Sequence, residues 1–166
     1  QSVHHELLNL GDWPRMVSYH GNAAGWRLLT GDLMVQELGL LSSDPAQLAR
    51  YAQMKILAVT GLVVDMGVHV QGWTQEDAIV YLREKAAVSE RIAQLMFADI
   101  LLHPGKYGSE WLAYLELKAI QKQVQSLQGS DYLLQDFYQL MLNFHHFPLD
   151  FLGNSIIELI SQEMAR

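Results

Sequence analysis

Cysteine is absent from all 166 residues, which excludes a disulfide framework, a thiolate zinc site and a cysteine nucleophile. That absence suits either cytosol or periplasm. Charge is also scarce: 17% of residues are Asp, Glu, Lys or Arg, against about 25% in an average soluble domain. The 18 acids outnumber the 11 bases, giving a net charge of -7, and no basic run occurs. A nucleic-acid groove and an anionic-membrane surface are therefore poor fits. No phosphate-binding glycine loop, Gly-x-Ser-x-Gly elbow or dinucleotide fingerprint occurs. No alternating apolar pattern persists long enough for a strand, and no internal repeat is visible.

What is present is helical punctuation. Asp44-Pro45 sets an N-cap and a first-turn proline, Thr74 with Asp77 forms a capping-box pattern, and Ser89 precedes another periodic run. Gly72, Pro104-Gly105, Gly129-Ser130-Asp131 and Phe147-Pro148 supply the stops. The pattern predicts an all-α fold of about seven helices, near 15–40, 45–71, 75–87, 90–102, 106–127, 131–144 and 148–164. A length of 166 residues predicts one helical domain, 1–166, around one core.

The stretch from Ile56 to Val70 is apolar nearly all round, which predicts that helix 45–71 is the buried centre of the bundle. It is shorter than a bilayer span and carries Asp65 and His69, so no membrane insertion is expected. Gly61 and Gly67 each cost about 1 kcal/mol in helix propensity, which predicts close approach of a neighbour at both positions. In 90–102 the apolar stripe is read as Ile92, Leu95, Met96 and Leu102 with Asp99, and in 106–127 as Trp111, Leu112, Leu115, Leu117 and Ile120. The chain begins at Gln1, with neither Met nor an apolar leader, and is read as a processed product, an expression product or a piece of something longer.

Asp65 and His69 stand at i and i+4, on one helix face, where a carboxylate can fix an imidazole tautomer and stabilise its cation. They are the candidate catalytic pair, and the same spacing also serves a core hydrogen bond between two polar groups. His4 and His5, followed by Glu6, are the candidate metal ligands. A helical zinc-protease motif needs a further His four residues after His5, and Asn9 stands there. His145-His146, between Phe144 and Phe147, is read as a capping and packing feature.

Several of these segments, in order, resemble the carboxy-terminal part of a bacterial family, domain of unknown function 885, whose members are helical and zinc-peptidase-like. Gly25-Trp26 with Leu28-Leu29 is similar to its Glu-Gly-Trp-Ala-Leu-Tyr segment. The run from Leu62 to His69, then Gly72-Trp73-Thr74, resembles Leu-Val-Val-Asp-Thr-Gly-Ile-His and Gly-Trp-Thr. Ser89-Glu90, Pro104-Gly105 and Phe147-Pro148-Leu149-Asp150 continue the register. The resemblance implies an upstream His-Glu pair and a Pro-Gly-His-His element, of which Val3-His4-His5 would be the tail. It implies a zinc site completed by the Glu of Glu-Gly-Trp, where this chain has Ala24. Gly61 stands for the Arg before Leu-Val-Val, Met96, Asp99 and Ile100 for a Glu-x-x-Arg-Tyr, and Glu110-Trp111 for a Tyr-Lys.

Three expectations follow. The first is a non-catalytic relative with no cofactor, since alanine cannot ligate zinc. The second is the carboxy-terminal part of a longer zinc-dependent peptidase or hydrolase acting on peptides, in bacterial periplasm or cytoplasm, with Asp65 and His69 beside the reacting carbonyl or the metal's outer shell. The third is a partner-binding or homo-oligomeric helical module.

Overall fold

The computed structural model describes residues 20–40, 43–144 and 148–164. Among them lie seven α-helices and no strand: α1 His20–Asp32, α2 Pro45–Val70, α3 Gln75–Ala86, α4 Glu90–Leu102, α5 Lys106–Gln128, α6 Leu134–Phe144 and α7 Leu149–Met164. A π-helical turn, Leu33–Glu37, follows α1, and a 3-10 turn, Gly129–Asp131, follows α5. The all-α expectation holds.

Helix starts form where their capping chemistry predicts. The Asp44 carboxylate accepts the backbone N–H groups of Ala46 (3.0 Å) and Gln47 (3.2 Å). Thr74 Oγ1 accepts the N–H of Asp77 at 3.2 Å while the Asp77 carboxylate accepts the N–H of Thr74 at 3.0 Å, so two otherwise orphaned donors are satisfied reciprocally. Ser89 Oγ accepts the N–H of Ile92 at 3.4 Å. Two boundaries differ from the sequence reading. Helix 15–40 is α1 from His20 and ends in the π turn, with residues 15–19 outside the described part. Helix 131–144 begins at Leu134, because Gly129, at φ 54°, ends α5 and the chain tightens into the 3-10 turn first.

Two apolar clusters form the interior. One joins Leu28 and Leu29 of α1, Ala58 of α2, Leu117 and Ile120 of α5, Phe137 and Met141 of α6, and Leu152 and Ile156 of α7. The other joins Val64 of α2, Ala78 and Leu82 of α3, and Ala93, Phe97 and Ile100 of α4. Helix α2 reaches both clusters, while α5 packs against α1, α2 and α7. The central role is thus shared between them. Helix α2 buries Ala58, Thr60, Gly61, Val64, Asp65 and Gly67 but leaves Ile56, Val59, Met66 and Val70 in solvent. By length and composition alone it could cross a membrane, yet it packs against α3, α4 and α5 through the face that carries Thr60 and Asp65.

Gly61 and Gly67 mark close approaches, as their helix-propensity cost predicts. A Cβ at Gly61 would overlap the Tyr107 ring, with Cε1 at 2.8 Å, and one at Gly67 would meet Trp73 Cε3 at 2.6 Å. The stripe read on α4 is corrected: Ile92, Leu95 and Leu102 are exposed, and the packed face is Ala93, Phe97 and Ile100. On α5, Leu117 and Ile120 are buried as read, but Leu112 and Leu115 are exposed and Ala113 and Tyr114 take their place. In both helices a small residue, Ala93 or Ala113, lies at the contact, where it lets backbones approach.

Candidate functional site

Asp65 lies on the packed side of α2, His69 stands exposed one turn further on, and both reach the corner between α4 and α5. That corner is made by His103, Pro104 and Gly105, and Gly105 adopts φ 78°, a conformation other residues rarely take. The Gly105 N–H donates to Asp65 Oδ1 at 3.1 Å. His69 Nε2 donates to the carbonyl of Ile100 at 3.1 Å, which places the ring proton on that nitrogen because a carbonyl can only accept. The same nitrogen stands 3.7 Å from Asp65 Oδ1, beyond hydrogen-bond reach. The two side chains are brought together, yet each bonds to the backbone of the α4–α5 corner instead of to the other. Asp65 is 4% exposed, and its Oδ2 is buried with no hydrogen-bond partner among the described residues. Above this corner lies a cleft of about 560 Å³ lined by His103, Pro104, Gly105, Lys106 and Ser109.

A second group surrounds Asp99. Its carboxylate accepts from Lys106 Nζ at 2.8 Å, from the Tyr107 hydroxyl at 3.0 Å and from His103 Nδ1 at 3.0 Å. The Lys106 bond, outweighing partial burial, holds Asp99 below the ordinary carboxylate range. Burial, then the bond to Asp99, pushes the Tyr107 hydroxyl upward, so it stays protonated at neutral pH. This group ties the end of α4 to the start of α5.

The most buried polar assembly was not visible as a site in the sequence. Asp32, 3% exposed at the end of α1, accepts from the hydroxyls of Tyr51 on α2 and Tyr114 on α5 and from Lys55 Nζ at 2.9 Å. Lys55 also donates to the Tyr114 hydroxyl oxygen at 3.2 Å and lies 4.9 Å from the centre of that ring. Burial alone would raise the Asp32 pKa, but the Tyr114, Tyr51 and Lys55 bonds outweigh it and hold Asp32 below its ordinary value. Burial likewise opposes the charge on Lys55, and the Asp32 and Tyr114 bonds reverse that effect. Its only sequence trace is Tyr51 and Lys55 at i and i+4; Asp32 and Tyr114 lie 82 residues apart. Glu110, 6% exposed on α5, pairs with Arg27 of α1 at 3.7 Å.

Ala24 is buried on α1 at 7% exposure. Its neighbour Gly25 fits against α5 so tightly that a Cβ would lie 2.7 Å from Tyr114 N and from Ala113 Cβ. Among the described residues no group of three His, Asp or Glu side chains is placed to hold a metal ion. His4, His5 and the His145-His146 pair lie outside the described residues.

The fold and these buried ties define an all-α bundle whose long helices are pinned to one another by carboxylates. The profile of the bacterial family of proteins of unknown function, DUF885, matches residues 1–156, and the chain belongs to that family. A solved structure described as "the putative lipoprotein from Colwellia psychrerythraea" superposes with a TM-score of 0.84 at 23% identity, over 96% of this chain. The chain spans 27% of that protein's length, and the likeness extends to the fold. No curated protein matches the sequence.

Proposed function

We propose that this chain is a non-catalytic helical member of its family, one that keeps the packing frame and uses its buried carboxylates to pin helices together. The observation that carries the reading is where the buried acids go. Asp32 is held by two tyrosines and a lysine, Asp65 accepts a turn N–H, and Glu110 faces Arg27. A general base needs an acceptor free to meet substrate, and a ligating carboxylate needs its lone pairs for the ion; the Asp65 oxygen that has no partner among the described residues, Oδ2, is buried away from solvent. Ala24, at the position where the resemblance expects an acidic zinc ligand, is packed in the interior and offers no donor atom.

On this reading no cofactor is bound, and partners are proteins, a second copy included, in preference to nucleic acid, given the charge of -7. The residues form one helical domain. Incubation of zinc-loaded protein with a mixed peptide library, read by mass spectrometry, is expected to show no cleavage above a heat-denatured control. Cleavage that disappears on chelation and returns with zinc would overturn the proposal.

The second reading, the carboxy-terminal part of a zinc-dependent peptidase or hydrolase, is favoured by one feature. Asp65 Oδ2 is a buried acceptor without a partner among the described residues, and a catalytic role is one of the explanations for such an atom. Under that reading Asp65 and His69 support the substrate carbonyl or the metal's outer shell. His4 and His5 supply two ligands, and a further acid comes from outside the described residues.

A further inference from the structure

A cleft of about 570 Å³ opens between the π-helical turn after α1, the middle of α5 and the segment leading into α6. That volume lies within the roughly 300–1,000 Å³ of small-molecule sites. Lys118 and Lys122 stand in its wall one turn apart on α5, so their Cβ atoms are about 6 Å from each other on the same face. Neither ammonium has a carboxylate within ion-pair distance among the described residues, although the chain holds 18 acids to 11 bases. The Tyr132 hydroxyl, also in the wall, accepts from the Gln121 amide at 3.3 Å and has no acceptor of its own among the described residues. Burial, opposed by the Gln121 bond and aided by the charge of Glu37, raises that hydroxyl above its ordinary pKa, so it keeps its proton at neutral pH. Three donors in the wall of one cleft thus have no acceptor. Leu115, Ala119 and Leu134 supply apolar wall beside them.

We propose that this cleft binds a small organic carboxylate, whose oxygens accept from Lys118, Lys122 and Tyr132 and whose apolar body lies along Leu115, Ala119 and Leu134. The donors decide the sign of the ligand. Ammonium groups have no acceptor capacity, so a neutral or cationic guest would leave them unanswered, whereas a carboxylate offers two oxygens with about four lone-pair directions. Glu37 decides the amount of charge. It is the one acid among the described lining residues, so two lysines and one glutamate leave the wall at +1 within a chain of -7. A carboxylate matches that single charge, while a phosphate monoester, with about -1.5 to -2 at neutral pH, would meet Glu37 with its excess. The apolar wall decides the rest. An inorganic anion would leave most of the cleft to water, and only an organic body removes the leucine surfaces from solvent.

The site is separate from the α4–α5 corner, and its test does not depend on zinc or cleavage. Phenylbutyrate, titrated to millimolar concentration into the full chain, should give saturable backbone-amide NMR shifts confined to the stretches 115–122 and 132–134. Phenylbutyramide, which keeps the shape and loses the charge, should leave those amides in place. Lys118→Gln and Lys122→Gln should each raise the Kd for phenylbutyrate about tenfold, the weight of one charge-assisted bond at a partly solvated site, with helicity unchanged by circular dichroism. Lys85→Gln, on the exposed side of α3, should leave the Kd as it is. Added salt should weaken binding, because the contact is ionic and partly open to solvent. Shifts that are absent or scattered over the whole chain would overturn the proposal, as would equal binding of the amide or a Kd unchanged in the double variant Lys118→Gln, Lys122→Gln. Tighter binding of phenyl phosphate than of phenylbutyrate would overturn the carboxylate assignment, and equal binding of inorganic phosphate would overturn the part played by the apolar wall.

Discussion

Replacing Asp32 with asparagine tests whether the buried carboxylates are structural ties. The side chain keeps its shape, but one of the two oxygens that serve Tyr51, Tyr114 and Lys55 becomes an N–H₂ group, and the charge opposite Lys55 is lost. A hydrogen bond to a charged group contributes about 1.5–3 kcal/mol, and breaking a buried pair by removing one partner costs about 3–5 kcal/mol. The Lys55 side chain is 25% exposed and regains some hydration, so the lower part of that range applies, about 3 kcal/mol. For a chain of this size that is a fall in Tm of about 6–12 °C. Calorimetry at pH 7 measures it. The pH dependence carries a sign. The folded-state pKa of Asp32 lies below its ordinary value, so its contribution is present above the unfolded pKa of about 3.9 and is lost as pH falls through the folded pKa. The gap between wild type and Asp32→Asn should stay constant from pH 7 to 5 and close in stronger acid. A Tm within about 1 °C of wild type at pH 7 would refute the reasoning.

Other substitutions separate the remaining contacts. Asp65→Asn keeps an oxygen for the Gly105 N–H and removes a poorly served charge, so its stability should lie within about 1 kcal/mol of wild type, while Asp65→Ala should lose about 2 kcal/mol in urea unfolding. A loss above about 3 kcal/mol for the asparagine would show that the charge itself is needed. Gly67→Ala gains about 1 kcal/mol of helix propensity but forces a methyl into Trp73, an overpacking cost of about 1–3 kcal/mol, so net destabilisation with altered Trp fluorescence is expected. A stabilised Gly67→Ala variant would contradict that packing. Thr74→Ala removes half of a reciprocal cap and should cost about 1 kcal/mol, measured by the same unfolding assay.

Much of the fold was legible because it is written locally. Asp44, Thr74 with Asp77, and Ser89 all cap the helices they announce, and Gly61 and Gly67 sit under the rings of Tyr107 and Trp73. Burial was less legible. A helix apolar all round does not reveal which face meets neighbours, and on α2 the packed face includes Thr60, Gly61 and Asp65 while Ile56 and Met66 stay outside. On α4 and α5 the contact faces are marked by alanine, which a search for large apolar residues passes over. Helical spacing brought Asp65 and His69 to one face, but their partners, the N–H of Gly105 and the carbonyl of Ile100, are backbone groups that no side-chain pattern encodes. Asp32 meets Tyr114 across 82 residues, a pairing set by how α1 packs on α5.

Zinc stoichiometry by elemental mass spectrometry bears most directly on the central claim, that this chain keeps its family's frame without a metal site. Untagged protein is loaded with zinc and freed of loosely held metal by exhaustive dialysis. The account predicts far less than one ion per chain, with no change on His5→Ala. About one tightly held ion per chain, lost in His5→Ala, would contradict it and give the hydrolase reading its metal.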